Sequence, residues 1–248
     1  MAKAKASGPK KVPALTMPAV DAYDALCAVL TMVSKDDTRP HLRCVHVRST
    51  DARQTPKDEV GQVEFFGTNG HCVARWKQRI DGAPTRSFNI DRRCAIRMCA
   101  HLKDVLAEHA RALKEWQIKE GWRAKDADPK PKPEEPTITF GNGVFTTMLA
   151  ETRLDLVDEK YPRIDKIVDT KFGGTPQMIG VSSVYLAQAV ACFQKAAHTR
   201  GPVPIIQEWE GDTPLSMMRF RTDSSLGGFG GLNRAFHLTV FVMPMRVE

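Results

Sequence analysis

Gly67-Thr68-Asn69-Gly70-His71-Cys72-Val73-Ala74 reads as the turn and return strand of an antiparallel hairpin. Asn-Gly supplies the positive φ angles of a tight turn, and it stands between two β-like runs, Val63 to Gly67 and Cys72 to Lys77. Upstream lies another β-like run, Leu42 to Arg48. Before that, Val20, Tyr23, Leu26, Cys27, Leu30 and Val33 recur every three or four residues, which predicts a helix from about Asp21 to Ser34. Pro40, which lacks an N–H, keeps that helix from continuing. Downstream, Asp91 is a good N-cap for a second helix whose buried side carries Ile96, Cys99, Leu102, Leu106, His109 and Leu113. Gly141-Asn142-Gly143 links Thr137–Phe140 to Val144–Leu149 as a second hairpin, and a further strand is expected near Arg153 to Val157. A third helix, Ser182 to Ala197, precedes two alternating strands around Met218–Arg221 and Phe236–Val242, with Gly227 to Gly231 as a loop between them. Helix-and-strands thus occurs three times, which predicts an α+β protein with antiparallel sheets and its helices on one side.

At 248 residues the chain accommodates one large domain or two small ones. Apolar residues are 42% and charged residues 26%, a globular composition, and no apolar run approaches a membrane span. The start, Met1-Ala-Lys-Ala-Lys, lacks the apolar stretch of a secretory signal, so a soluble, cytoplasmic protein with no membrane partner is expected. Residues 1–11 hold Lys3, Lys5, Lys10 and Lys11 without an acid and read as a disordered basic tail. They account for much of the net charge of +7. Residues 119–136, with Asp-Pro-Lys-Pro-Lys-Pro-Glu-Glu-Pro, read as an exposed Pro- and Lys-rich insertion.

The chemistry-bearing residues are sparse. Cys27, Cys44, Cys72, Cys94, Cys99 and Cys192 contain no Cys-x-x-Cys pair, so buried free thiols are expected and no metal site. Nothing resembles a nucleophile with its base or a set of convergent carboxylates. Gly227 to Gly231 precedes a strand, whereas a phosphate loop opens a helix. No catalytic residues and no cofactor are therefore expected. Arg93, Arg97 and His101 recur at every fourth position of the second helix, with Arg92 and Lys103 beside them, and such a stripe suits either phosphates or solvent.

Three passages, in order along 12–248, resemble the bacterial replication sliding clamp, the DNA polymerase III β-subunit family. The first is Asp37-Thr38-Arg39-Pro40-His41-Leu42 followed by the Gly67–Ala74 stretch. The second is Leu156-Val157-Asp158-Glu159-Lys160-Tyr161-Pro162-Arg163-Ile164-Asp165-Lys166-Ile167. The third is Ile179-Gly180-Val181-Ser182-Ser183-Val184-Tyr185-Leu186 together with Val242-Met243-Pro244-Met245-Arg246-Val247. The resemblance implies a clamp middle domain over 12–168 and the later half of a last clamp domain over 169–248, a partial second domain. Asn69 stands where the family usually has Asp, and Val181-Ser182 where it has Phe-Asn.

The resemblance also implies a function: a non-enzymatic processivity factor for DNA replication that holds double-stranded DNA without reading its sequence. It implies a hydrophobic pocket for clamp-binding peptides of polymerases and repair proteins, made by Thr68, Gly70, His71, Cys72, Pro162, Lys166, Ile167, Val242, Met243, Pro244, Met245 and Arg246. Lys35, Arg39 and His41 would lie in a loop near DNA, and Arg93 and Arg97 on a pore-lining helix. A clamp loader is among the implied partners, the nucleoid is the implied location, and a homo-oligomer follows because about three helix-containing units per chain would need four chains to make the family's twelve. The alternative is a monomeric decoy or regulator that keeps the pocket and never encircles DNA.

Overall fold

The computed structural model describes residues 14–51, 61–80, 82–121, 131–141, 143–169, 182–197, 205–209, 217–223 and 236–243. The basic tail, the loop at Gly227 to Gly231, the middle of the Pro- and Lys-rich insertion, and Pro244, Met245 and Arg246 lie outside them.

Three units follow one another. The first is β1 (Leu15–Pro18), α1 (Ala19–Val29), β2 (Cys44–Thr50), β3 (Gln62–Thr68) and β4 (Cys72–Arg79). The second repeats that order as β5 (Arg86–Asp91), α2 (Arg92–Gly121), β6 (Thr137–Gly141), β7 (Val144–Thr146) and β8 (Glu151–Arg153). A connector containing the short α3 (Asp165–Val168) leads to the third: α4 (Ser183–Ala196), β9 (Ile206–Trp209), β10 (Met218–Asp223) and β11 (Phe236–Val242).

The strands form a four-stranded sheet, β1-β6-β7-β8, and a seven-stranded sheet, β5-β2-β3-β4-β11-β10-β9, all antiparallel. The first two units exchange first strands: β1 pairs with β6 and β5 with β2, so each unit covers an edge the other would leave open. The third unit joins through its last strand, β11, which runs along the last strand of the first unit from Phe236↔Gln78 to Val242↔Cys72. One sheet therefore spans residues on both sides of the expected boundary at 168/169.

The helices α1, α2 and α4 cover the sheets from one side. Leu26, Val29, Met98, Leu102 and Phe193 from the helices meet Val47, Phe65, Trp76, Leu238 and Val240 in one core, all at most 1% exposed. Full burial of such side chains contributes roughly 1.5–3 kcal/mol each. Cys192 Sγ lies 3.3 Å from the Ala28 carbonyl, which it meets as α4 crosses α1. All six cysteines are free, four of them buried.

Several elements differ from expectation. The first helix stops at Val29 instead of Ser34: Thr31 Oγ1 donates to Ala28 O at 2.7 Å, and Ser34 N is drawn to Leu42 O and Thr68 O, both at 3.1 Å. Pro40–Leu42 is a 3₁₀ turn with Pro in its first position, so β2 begins at Cys44 and not at Leu42. The expected insertion starts too early. Lys119, Glu120 and Gly121 still belong to α2, where Lys119 pairs with Glu115 one turn back at 3.8 Å. The strand expected at Arg153 to Val157 is instead Glu151–Arg153, because the following residues turn aside to run along β5. β1, β5 and β9 are strands that were not expected.

Gly67 sits where α1 crosses β3. A Cβ there would overlap the Val29 carbonyl and approach Val33 Cγ2 to 3.0 Å. Gly67→Ala is expected to lower the unfolding free energy by about 1–3 kcal/mol, the usual cost of overpacking. Urea unfolding of the two proteins measures this, and equal midpoints would contradict the close approach.

Candidate functional site

On the sheet face away from the helices a second apolar cluster forms from distant parts of the chain. Phe66 comes from β3, Val73 from β4, Phe241 from β11 and Met217 from the residue before β10, while the connector contributes Tyr161, Ile164 and Val168. Ile167 and Met243 pack at its edge, half-buried. Met243 is tied there because its N–H donates to the His71 carbonyl at 3.0 Å, extending the β4–β11 ladder past its last paired residue.

The connector is held down by polar contacts along β5 and β2. Asp91 N donates to Asp155 O and Val157 N to Asn89 O, both at 2.9 Å. Asn89 Nδ2 donates to Glu159 O at 2.7 Å and to Val157 O at 3.3 Å, while its Oδ1 accepts from His46 Nδ1 at 2.7 Å. The His46 ring then stacks on Tyr161 with centroids 4.6 Å apart. Burial lowers the His46 pKa, with Arg48 adding to the effect and the Asn89 bond opposing it. Arg48 bridges the sheet to α3, donating to Glu64 Oε2 at 2.8 Å and Asp165 Oδ1 at 2.7 Å. The bond from Arg48 holds the Asp165 carboxyl below its usual range. Beneath the stack, burial raises the Tyr161 pKa and pushes the Cys44 thiol up to about 12, so both stay neutral near pH 7. A cavity of about 650 Å³ opens beside this stack, lined by His46, Arg48, Ser87, Asn89 and the connector.

The turn at the other end of this apolar cluster is built as its sequence suggests. Gly70 has φ +92°. Asn69 Oδ1 accepts the His71 and Cys72 N–H groups at 2.9 and 2.8 Å, and Thr68 Oγ1 donates to Cys72 O at 2.8 Å. The third unit braces it: Asn69 Nδ2 donates to Gln188 Oε1 at 3.1 Å, and His71 stacks on Tyr185 with centroids 5.1 Å apart.

The implied pocket residues divide accordingly. Ile167 and Met243 lie half-buried at the edge of the apolar cluster, the notch, Pro162 lies half-buried in the lining of the cavity beside it, Lys166 is exposed on α3, and Gly70 and His71 form the exposed turn. Thr68 is buried in that turn. Cys72 and Val242 do not face the notch. They pair with each other in the ladder, and the period-two alternation of a strand turns both into the helix-side core. Val73 and Phe241, their neighbours, take the notch-facing positions. Alternation outward from Phe66 would have nominated them.

The implied DNA-side residues gather where the α1–β2 loop meets the start of α2. Arg92 N donates to Arg43 O at 3.0 Å, and Arg43 pairs with Asp91 at 2.9 Å. Asp91 caps α2 by accepting from Arg93 N at 2.7 Å; burial works against its charge, but these bonds lower its pKa. Lys35, Arg39, Arg93 and Arg97 are exposed, Arg39 beside Asp36 at 3.5 Å and Arg97 paired with Asp155. His41 lies 3.7 Å from Glu159 of the connector. His101 departs from the stripe: it is half-buried, bonded to Thr147 Oγ1 at 2.8 Å and edge-on to Phe145. A step of four residues advances about 40° around a helix, so the third member of the stripe arrives against the sheet. Among the described residues no three potential metal ligands converge, and no helix is long and apolar enough to cross a membrane.

By sequence the chain matches no family model and no curated protein. By structure it is similar to a sliding clamp (DNA polymerase III subunit beta) from Bartonella birtlesii bound to griselimycin, with 12% identity, TM-score 0.58, and coverage of 98% of this chain and 68% of that one. It is similar to the sliding clamp of Caulobacter crescentus, with 10% identity, TM-score 0.59, and 98% and 68% coverage. It is also similar to the DNA polymerase III beta subunit of Thermotoga maritima, with 10% identity, TM-score 0.54, and 99% and 68% coverage. The chain therefore has the sliding-clamp fold, over about two-thirds of the length of those chains.

The His46 stack gives the notch wall a pH dependence. With its folded pKa below the ordinary 6.5, His46 binds a proton more readily when unfolded, so folding stability falls as pH drops through about 6.5. Wild type is expected to lose more stability than His46→Gln between about pH 7.5 and 5.5 in paired urea titrations; equal losses would show that His46 does not carry the effect.

Proposed function

We propose that the chain acts as a non-enzymatic, clamp-like processivity factor that holds double-stranded DNA and tethers polymerases or repair proteins through the notch. The observation that carries this reading is the meeting of the Asn-Gly hairpin, the Tyr161-Pro162 connector and the end of β11 in one apolar cluster. Such a notch suits a short apolar peptide. Phe66, Val73 and Phe241 are buried beneath the connector, Ile167 and Met243 stand half-buried at the cluster's edge, and a Met side chain adapts to varied apolar ligands. Pro244, Met245 and Arg246 continue from Met243 and belong to the proposed pocket.

The opposite side supports the DNA part of the reading. From Arg92 to Lys103, α2 carries Arg92, Arg93, Arg97 and Lys103 and no acid, beside the loop of Lys35, Arg39 and His41. Sparse phosphate contacts suffice when encirclement prevents escape, and they carry no sequence information. The protein then works as a homo-oligomer on nucleoid DNA in the cytoplasm, with a clamp loader among its partners. One other reading is a monomeric regulator that takes the peptide and leaves DNA alone.

Met243→Glu is expected to weaken a fluorescent clamp-binding peptide at least tenfold, since it brings a charge to the apolar rim. Unchanged affinity would remove the notch from the reading. Arg93→Ala with Arg97→Ala is expected to reduce the salt dependence of DNA binding by about two in the slope of log K against log salt. Retention on circular DNA with loss from linear DNA tests encirclement; peptide binding by a strict monomer without DNA retention would select the regulator.

A further inference from the structure

The six thiols are not set alike. Cys44 donates to the His41 carbonyl at 3.5 Å and Cys192 to the Ala28 carbonyl at 3.3 Å, while Cys94 Sγ accepts from Asp155 N at 3.5 Å. Those three are buried, as is Cys72 in the β4–β11 ladder. Cys27 and Cys99 are the two half-buried thiols, and they are hydrogen-bonded to each other. Cys27 lies on α1 and Cys99 on α2, and these two helices pack together.

A third group meets them there. Tyr23 stands one turn before Cys27 on the same face of α1, and its hydroxyl donates to the Cys27 sulfur, as the Cys99 thiol does from α2. Burial, with Cys27 beside it, pushes the Tyr23 pKa up to about 12, and the bond to Cys27, with burial, raises that of Cys99. Both keep their protons, so Cys27, which accepts both bonds, is the member of the trio left to ionise. A thiolate with a protonated thiol held against it is the arrangement of an attacking and a resolving cysteine. None of the three belongs to the notch or to the DNA-side residues.

We infer that Cys27 and Cys99 are a redox site, joined by a reversible disulfide between α1 and α2 when the protein meets a peroxide. The Cys27 thiolate attacks one oxygen of hydrogen peroxide, the O–O bond breaks, hydroxide leaves, and Cys27 becomes a sulfenic acid. The Cys99 sulfur then attacks the Cys27 sulfur; the S–O bond breaks, and the displaced hydroxide leaves as water with the Cys99 proton. In sum two thiols give up two electrons and two protons, and one peroxide becomes two waters. A small thiol reverses the bond by exchange. The disulfide closes a long loop from the first unit into the second, so the oxidised form is harder to unfold. This goes beyond the function proposed above and needs neither peptide nor DNA.

The test uses the full chain, treated with hydrogen peroxide under native conditions and afterwards with dithiothreitol. Trypsin cuts between every two successive cysteines and leaves Cys27 in Val12–Lys35 and Cys99 in Met98–Lys103. The unreduced digest is expected to show these two peptides joined, with four of the six thiols still free before digestion and all six after dithiothreitol. The oxidised protein is expected to unfold at a higher urea concentration than the reduced one. Cys99→Ala is expected to stop at a sulfenic acid on Cys27, captured by dimedone, and Cys27→Ala to leave Cys99 unlabelled over the same time. No joined peptides, peptides joined through any other cysteine, an oxidised form no harder to unfold, or dimedone on Cys99 in the Cys27→Ala protein would each overturn the inference. The wild-type digest needs no variant to fold.

Discussion

Main-chain groups at a sheet edge need partners, and β4 finds them in β11. That one ladder carries the third unit onto the first, brings α4 over α1, and delivers Met243 to the His71 carbonyl. Without it the hairpin turn would lose its brace from Gln188 and Tyr185, and the notch would lose Phe241 from its floor. The apolar cluster is thus a product of strand pairing before it is a product of side-chain choice.

The second wall of the notch depends on polar chemistry. Asn89 uses both ends of its amide, one on His46 and one on two connector carbonyls, so a single side chain fixes where the connector lies and how the imidazole is turned. Arg48 does the same work for α3, and its guanidinium also lies over the Phe66 ring at 5.2 Å. The apolar residues come from β3, β4 and β11 and the polar brace from β2 and β5 beside them in the same sheet, which is why so small a surface is both greasy and well positioned.

Much of this was legible in the sequence where a short-range signal existed. Asn69-Gly70 marked the hairpin, Asp91 marked the start of α2, and threefold recurrence of helix and strands marked the architecture. Short edge strands were not legible: Leu15–Pro18 and Ile206–Trp209 have too few residues to show a period, and only their neighbours make them strands. The break at Val29 arose from Ser34 bonding to residues far along the chain, which no local pattern encodes. The contiguous residues nominated by resemblance include Cys72 and Val242, which alternation sends to the other face of the sheet. His101 was misjudged for the corresponding helical reason, the drift of a four-residue repeat.

The β4–β11 ladder also sets an order of events during synthesis. Ala74 leaves the ribosome long before Val240, its partner. At about 5–20 residues per second the edge of β4 is bare for roughly ten to thirty seconds. Over that interval an apolar-rich strand with an unpaired rim is available to other nascent chains, and folding must wait on a contact of very high sequence separation.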